Sequence, residues 1–339
     1  MSKENLIICG PWIGEFAYEL NYWAPKLRYY INKEYPGYKT AILTSPGRSL
    51  LYRDFIDEYV PFPKEVIDNM PPTNSGGAGH GNQHSLEHPL TEQFLQDFIK
   101  DNKEKYENIY QVRPKDLECV TRTQVIHDHQ FKHADHKLLQ PDPVAEKAAT
   151  DFLIGSFLNN SKTIAIMAPT VHEIFPVREN WKVDNWLYFI ERLINELDFN
   201  IVMTGIKSRK LPNGIVTQGS YTFEDTYLYD KYPDKIKSYV QDEGGDSLDA
   251  QVSILRNTSC SIWGSTGATH LGFYCGKPVF AQLVYGQLSR LTMEWQKKLT
   301  NNHEHVKFIH KYKSGEELYN SSAEELFNEF NLFYNKLDN

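Results

Sequence analysis

Short apolar runs and helical patterns alternate along almost the whole chain, and this order restricts the fold more than any single motif does. Leu6 to Cys9 has the character of a buried strand, "YELNYWAPKLRYYI" repeats Tyr18, Trp23, Leu27 and Tyr30 near helical spacing, and "YKTAILT" is a second strand. The helix "LTEQFLQDFIKDNKEKY" and the strand "ENIYQV" follow. A second series opens with the helix "PVAEKAATDFLIGSFL". It continues through the strand "KTIAIMAPT", the helix "NWLYFIERLINEL", the strands "FNIVMTG" and "NGIVTQG", the helix "DSLDAQVSILRN", the strand "TSCSIWG", the short helix "GATHLGFYCG" and the strand "KPVFAQL". Strands separated by helices pair in parallel through right-handed crossovers. At 339 residues the expectation is an α/β protein of two doubly wound domains, residues 1–140 and 141–320. A last helix within 321–339, "SAEELFNEFNLFYNKL", is expected to return to the first domain.

Two stretches interrupt the alternation. Met70 to Pro89, rich in Pro, Gly, Asn and His, reads as a long mobile loop. "HDHQFKHADH" brings His127, His129, His133 and His136 together. Imidazoles four apart share a helical face and fit a metal site. With no HExxH and no paired cysteine, an exposed polar connection is the preferred reading. Cys9, Cys119, Cys260 and Cys275 share no CxxC spacing and read as buried free thiols of a reducing compartment. No secretory h-region and no run of roughly 18 apolar residues occurs, so a cytoplasmic protein without membrane insertion is expected. The net charge of −8 opposes a broad nucleic-acid-binding surface, although not a local basic cleft.

Chemistry concentrates in "CSIWGSTGATHLGFYCGKPVFAQL", residues 260–283. A strand ends at Gly264, Ser265-Thr266-Gly267 turns, and a helix begins near Ala268. Amide groups at such a turn, with the Ser265 and Thr266 hydroxyls, suit an anion, and a diphosphate is the natural guest. His270, in the first turn, is either a structural histidine or a further phosphate contact. Basic residues near the second-domain strand ends, Arg178, Lys182, Lys207, Arg209 and Lys210, are candidates to hold the remaining charge, or are solvated loop residues.

This segment resembles the nucleotide-sugar-binding segment of the heptosyltransferases, glycosyltransferase family 9: strand, [D/S]-T-G-x-x-H, short helix, then G-K-P and a strand. The likeness extends back through "APTVHEIFPVRENWKVDNWLYFIERLINELDFNIVMTG" and "DSLDAQVSILRNTSCSIWG", about residues 160–285. Ser265 stands where the family usually has Asp, Arg178 precedes Trp181 by three positions where the family has a nearby Lys, and no acidic residue matches the family's nucleoside contact after "VMTG".

The resemblance implies a GT-B fold, two Rossmann-like domains facing an interdomain cleft. It also implies a nucleotide-diphosphate sugar donor on Arg178, Lys182, Gly205, Gly264, Ser265, Thr266, Gly267 and His270, with no cofactor and no metal. In "GPWIGEFAYELNYW" it puts Gly14-Glu15 at the family's G-D, so Glu15 is the candidate base of an inverting transfer. Glu15 equally fits a helix-terminal acid stabilised by the dipole. Gly14, Tyr18, Glu19 and Arg28 are the acceptor-side candidates, with Glu19 and Arg28 otherwise an ordinary helix-surface pair. The acceptor is a glycan, a small molecule or modified DNA; a phage-type enzyme acting on hydroxymethylated pyrimidines is the alternative. A sugar-nucleotide epimerase or a non-catalytic nucleotide-sugar-binding protein is the reading from another class.

Overall fold

The computed structural model describes residues 3–14, 16–69, 88–119, 133–157, 159, 161–170, 181–208, 210, 216, 219–242, 244, 247–284, 306–312 and 314–337. The chain divides into two compact units, Met1–Lys137 with Gly244–Asp246, and Leu138–Glu243 with Ser247–Asn339.

The first unit is built on four parallel strands, β1 (Leu6–Trp12), β2 (Lys39–Thr44), β3 (Glu58–Pro61) and β4 (Ile109–Val112), in the order β3-β2-β1-β4. The apolar run of β1 is buried over its whole length because the strand has a partner on each side. Its register with β2 shifts between Cys9 and Trp12. Gly10 lies in this shift at φ +102°, where a Cβ would stand 2.6 Å from the Leu43 carbonyl oxygen, and Gly10–Pro11 is cis. Leu6, Ile8, Ala41, Leu43, Phe62 and Leu95 form the core, the last from α2 (Pro89–Asn102).

The helix expected after β1 runs over residues 16–34 with a π turn inside it. Phe16–Tyr18 is α-helical, Glu19–Trp23 widens to a π turn, and α1 resumes over Ala24–Glu34. The Ala24 N–H reaches the Glu19 carbonyl, five residues back. Pro25, having no N–H to give an α-type bond to Asn21, suits this junction.

The second unit has six parallel strands: β5 (Thr163–Met167), β6 (Asn200–Ile206), β7 (Ile236–Gln241), β8 (Cys260–Trp263), β9 (Val279–Val284) and β10 (Val306–Tyr312). Their order, β7-β6-β5-β8-β9-β10, is that of dinucleotide-binding domains, reversing direction between β5 and β8. Among the described residues its helices include α3 (Pro143–Ser156), α4 (Val183–Leu197), α5 (Ser247–Arg256), α6 (His270–Phe273) and α7 (Ala323–Leu337).

Ile236–Gln241 is a strand that the sequence pattern did not show, and "NGIVTQG" lies mostly outside the described residues, with Val216 making an isolated bridge to Lys210. The last helix packs within the second unit. Phe327, Phe330, Phe333 and Tyr334 on α7 are buried with Phe189, Phe199 and Phe280 in the second core, for example with Phe199 and Tyr334 rings 4.8 Å apart. All four cysteines are free and buried, as expected, and burial pushes their thiols up, Cys119 to about 12. No helix among the described residues is long and apolar enough to cross a membrane.

Candidate functional site

Each unit presents a polar constellation at the carboxyl edge of its sheet. In the first unit it centres on Glu19, which the π turn places inside the protein at 0 % exposure. Glu19 Oε1 accepts from Thr44 Oγ1 at 2.6 Å and from the Tyr52 hydroxyl at 2.5 Å, and Oε2 accepts from Arg48 Nη1 at 3.3 Å. Thr44 ends β2 in register with Trp12, so this carboxylate lies where β1 and β2 stop. Burial raises the Glu19 pKa, and the opposing pull of Arg48, Thr44 and Tyr52 does not cancel it. The same burial, with Glu19 beside it, holds the Tyr52 hydroxyl well above its ordinary value.

Arg48 emerges from a braced turn. Its backbone N–H donates to the Tyr59 hydroxyl at 3.0 Å, and that hydroxyl donates to the Ser45 carbonyl at 2.6 Å. The guanidinium lies 4.6 Å from the Phe16 ring centroid.

The other first-unit candidates are distributed differently. Gly14 is buried just beyond β1, and the half-buried Tyr18 ring packs on Tyr22 at 5.2 Å. Arg28 does not pair with Glu19. Its guanidinium grips Asp54 through two bonds of 2.9 and 3.0 Å and reaches the carbonyls of Leu51 and Asp135, which ties α1 to the segments after β2 and after residue 132. Glu15 lies outside the described residues. So do His127 and His129, while His133 meets the Tyr29 hydroxyl at 3.3 Å, and burial beside Arg28 holds His136 well below its ordinary pKa. Among the described residues no group of three or more His, Cys, Asp or Glu side chains fits a metal.

In the second unit the switch point between β5 and β8 is tightly closed. Gly264 continues the ladder, its N–H donating to the Met167 carbonyl at 3.0 Å, and a Cβ there would stand 2.3 Å from Pro169 Cδ. Thr269 Oγ1 donates to the Gly264 carbonyl at 2.8 Å, which fixes the turn from behind. Ser265 is buried and Thr266 half-exposed.

The helix expected at this turn is small, one 3-10 turn over Gly267–Thr269 and then the four residues of α6. Its dipole is correspondingly slight. The Ala268 and Thr269 amides turn onto Thr266, to its hydroxyl at 3.4 Å and its carbonyl at 3.1 Å. Hydroxyls, rather than a macrodipole, are the main polar feature of this edge. His270 keeps a partly exposed edge, and desolvation lowers it to about 4, so it is neutral at pH 7.

A second cluster covers the ends of β5 and β6. Gly205, at φ +123°, leaves room for Ser220, whose Oγ would stand 1.9 Å from a Cβ. Ser220 N donates to Ile206 O at 2.8 Å and Tyr221 N to Ala168 O at 2.9 Å, so residues 219–221 run between the two strand extensions. Gly219 N donates to Thr170 Oγ1 at 2.9 Å, and Thr170 and Ser208 hydroxyls meet at 3.0 Å. Lys182 Nζ lies 5.1 Å from the Tyr319 ring centroid, and Lys207 Nζ pairs with Asp242 at 3.3 Å. Arg178 and Arg209 lie outside the described residues. Sequence reasoning named neither Thr44, Arg48 and Tyr52 nor Thr170, Ser208 and Ser220; the one local signal was that both sets follow a strand end.

No protein-family model matches the chain, and no curated protein matches it in sequence. Solved structures do resemble it. Escherichia coli ADP-heptose lps heptosyltransferase II aligns with a TM-score of 0.54 at 12% identity, over 99% of this chain and 100% of that one. A glycosyltransferase family 9 protein of Veillonella parvula gives 0.55 at 10%, over 98% of each. An E. coli heptosyltransferase with ADP-2-deoxy-2-fluoro heptose gives 0.51 at 13%, over 96% of this chain and 99% of that one. The chain has their fold. The likeness spans both units, so two Rossmann-like α/β domains, the expectation from the alternating pattern, describe the whole molecule.

Proposed function

We propose that the protein is a glycosyltransferase that moves a sugar from a nucleotide-diphosphate donor on the second unit to an acceptor hydroxyl on the first, with inversion and without a divalent metal. The observation that carries this reading is the Gly264-Ser265-Thr266 turn, set at the switch point of a β7-β6-β5-β8-β9-β10 sheet, where open α/β sheets bind their ligands. In the reaction, Glu15 takes the acceptor proton as the acceptor oxygen attacks the anomeric carbon. The bond from that carbon to the diphosphate breaks, and the nucleoside diphosphate leaves with the electron pair. Ser265, Thr266 and His270 meet the leaving group, with Arg178 and Lys182 supplying charge. Gly264 and Gly205 let Pro169 and Ser220 pack closely on the strand ends beside this turn. Glu19 is not the base: it is fully buried and accepts three hydrogen bonds.

One similar structure carries an ADP-heptose analogue, so ADP-linked sugars come first in a thermal-shift panel of nucleoside diphosphates and their sugars. A donor is expected to raise stability by about 2.7 kcal/mol at a hundredfold excess over Kd. With the donor identified, Glu15→Ala is expected to bind it normally and to lose about 10²- to 10⁴-fold in rate. A panel with no binder would sink the reading, and equal rates in both proteins would remove Glu15 from it.

A further inference from the structure

Two arginines of the first unit sit in similar surroundings and are held differently. Arg28 lies 4.7 Å from the Phe55 ring centroid and Arg48 4.6 Å from that of Phe16, and each faces a carboxylate. Arg28 closes on Asp54 through two nitrogens and binds two carbonyls as well, four hydrogen bonds of 2.7 to 3.2 Å. That is the geometry of an arginine whose task is structural. Among the described residues, the Arg48 guanidinium makes one hydrogen bond, and at 3.3 Å it is longer than any made by Arg28.

The carboxylate it faces does not depend on it for hydrogen bonding at both oxygens. Glu19 Oε1 is taken by the short bonds from Thr44 and Tyr52, which orient the group, and Arg48 meets Oε2 alone. An arginine present only to neutralise Glu19 would be expected to close on it as Arg28 closes on Asp54. Arg48 instead keeps 16 % of its side chain exposed at the edge where β1 and β2 end. Its anchorage is rigid: the Tyr59 hydroxyl bridges Arg48 N and Ser45 O, and Gly47 at φ +77° turns the chain between them. The backbone beneath the guanidinium is thus braced and needs no reordering to engage a ligand, in a protein whose net charge of −8 otherwise disfavours anions.

We propose that Arg48 is an oxyanion-binding residue of the first unit, its guanidinium held by Glu19 and Phe16 so that a phosphate or carboxylate group completes its donor fork. Glu19 acts through Arg48 and is a positioning residue. The assignment of that oxyanion to an acceptor rests on the glycosyltransferase reading; the binding of the anion does not.

The test is a titration of the full-length ¹⁵N-labelled protein with inorganic phosphate and, separately, with acetate. The backbone amide signals of Gly47 and Arg48 report on this site, and those of Gly264 and Ala268 on the second unit. Saturable shifts at Gly47 and Arg48 are expected, with phosphate alone marking a phosphorylated ligand, acetate alone a carboxylate, and both a general oxyanion site. Arg48→Lys, which keeps the charge and loses the fork, should bind about tenfold more weakly. Because Arg48→Gln leaves a buried carboxylate uncompensated, the decisive variant is Glu19→Gln/Arg48→Gln, which removes both charges and is expected to stay folded by circular dichroism and to show no saturable shift. Wild-type protein without saturable shifts at Gly47 and Arg48, or a folded double variant that keeps them, overturns the proposal. A missing response at Gly264 and Ala268 would instead count against the donor site and leave Arg48 untouched.

Discussion

Burial and three hydrogen-bond donors compete over the protonation of Glu19. Desolvation favours the neutral acid, while Arg48, Thr44 and Tyr52 favour the carboxylate, and desolvation prevails. The consequence for stability has a definite sign. A carboxyl group whose pKa is higher folded than unfolded binds more protons in the folded state, so its contribution is fully present below the ordinary value of 4.5 and is lost as pH rises through the raised folded value. Urea midpoints measured upward from pH 4.5 should therefore fall more steeply for the wild type than for Glu19→Gln, and parallel profiles would contradict the assignment. Glu19→Ala is a different experiment, since it strips the acceptor from Thr44 and Tyr52 and the partner from Arg48; a loss of about 3–5 kcal/mol is expected, against about 1–2 kcal/mol for Gln, which keeps a carbonyl oxygen. The sequence pointed to Glu19 only through its nearness to Glu15. Its partners stand 25, 29 and 33 positions further along, and no local pattern connects them. Ser265 and Thr266 were legible because one continuous strand-turn-helix segment positions them.

Elements that the sequence concealed share a location. β3, β7 and β10, none of them read as strands from the pattern, are all sheet edges. An edge strand has one strand partner and partial solvent contact, so "EYVP" and "IKSYVQ" need no apolar run. The buried strands β1, β5, β6 and β8 were plain for the opposite reason. The π turn was hidden too, because Tyr18, Trp23 and Leu27 fit a helical period whether or not one wide turn intervenes; only Pro25 hints at it. Helix α7 was legible as a helix, but a helical pattern does not say against what its apolar residues are buried. Its Phe330 ring packs on Phe280 at 5.3 Å and on Phe189 at 6.1 Å. Phe330→Ala should cost about 3–5 kcal/mol in chemical denaturation; a loss under 1 kcal/mol would mean that α7 is peripheral to this core. Gly264→Ala tests the switch point, since its Cβ would meet Pro169 at 2.3 Å and the Trp186 ring at 3.3 Å. Overpacking of this kind costs about 1–3 kcal/mol, and nucleotide affinity should fall with it, because the Ser265-Thr266 turn hangs on the position of residue 264.

At the scale of the molecule, each unit has its own parallel sheet, and each sheet is covered by a core of its own, Leu6, Ile8 and Leu95 in one and Phe189, Phe280 and Phe330 in the other. Chains of two compact units commonly depart from a single two-state transition. Scanning calorimetry is therefore expected to resolve two transitions, and substitutions sort them: Glu19→Ala should lower one, Phe330→Ala the other. A ligand that binds one folded unit stabilises that unit alone, by RT ln(1 + [L]/Kd). The nucleotide donor should then raise the transition that Phe330→Ala lowers and leave the one that Glu19→Ala lowers in place. Inorganic phosphate, if Arg48 binds it, should raise the Glu19-sensitive transition and lose that effect in Glu19→Gln/Arg48→Gln. A nucleotide that raises only the Glu19-sensitive transition would reverse the assignment of donor and acceptor between the two sheets.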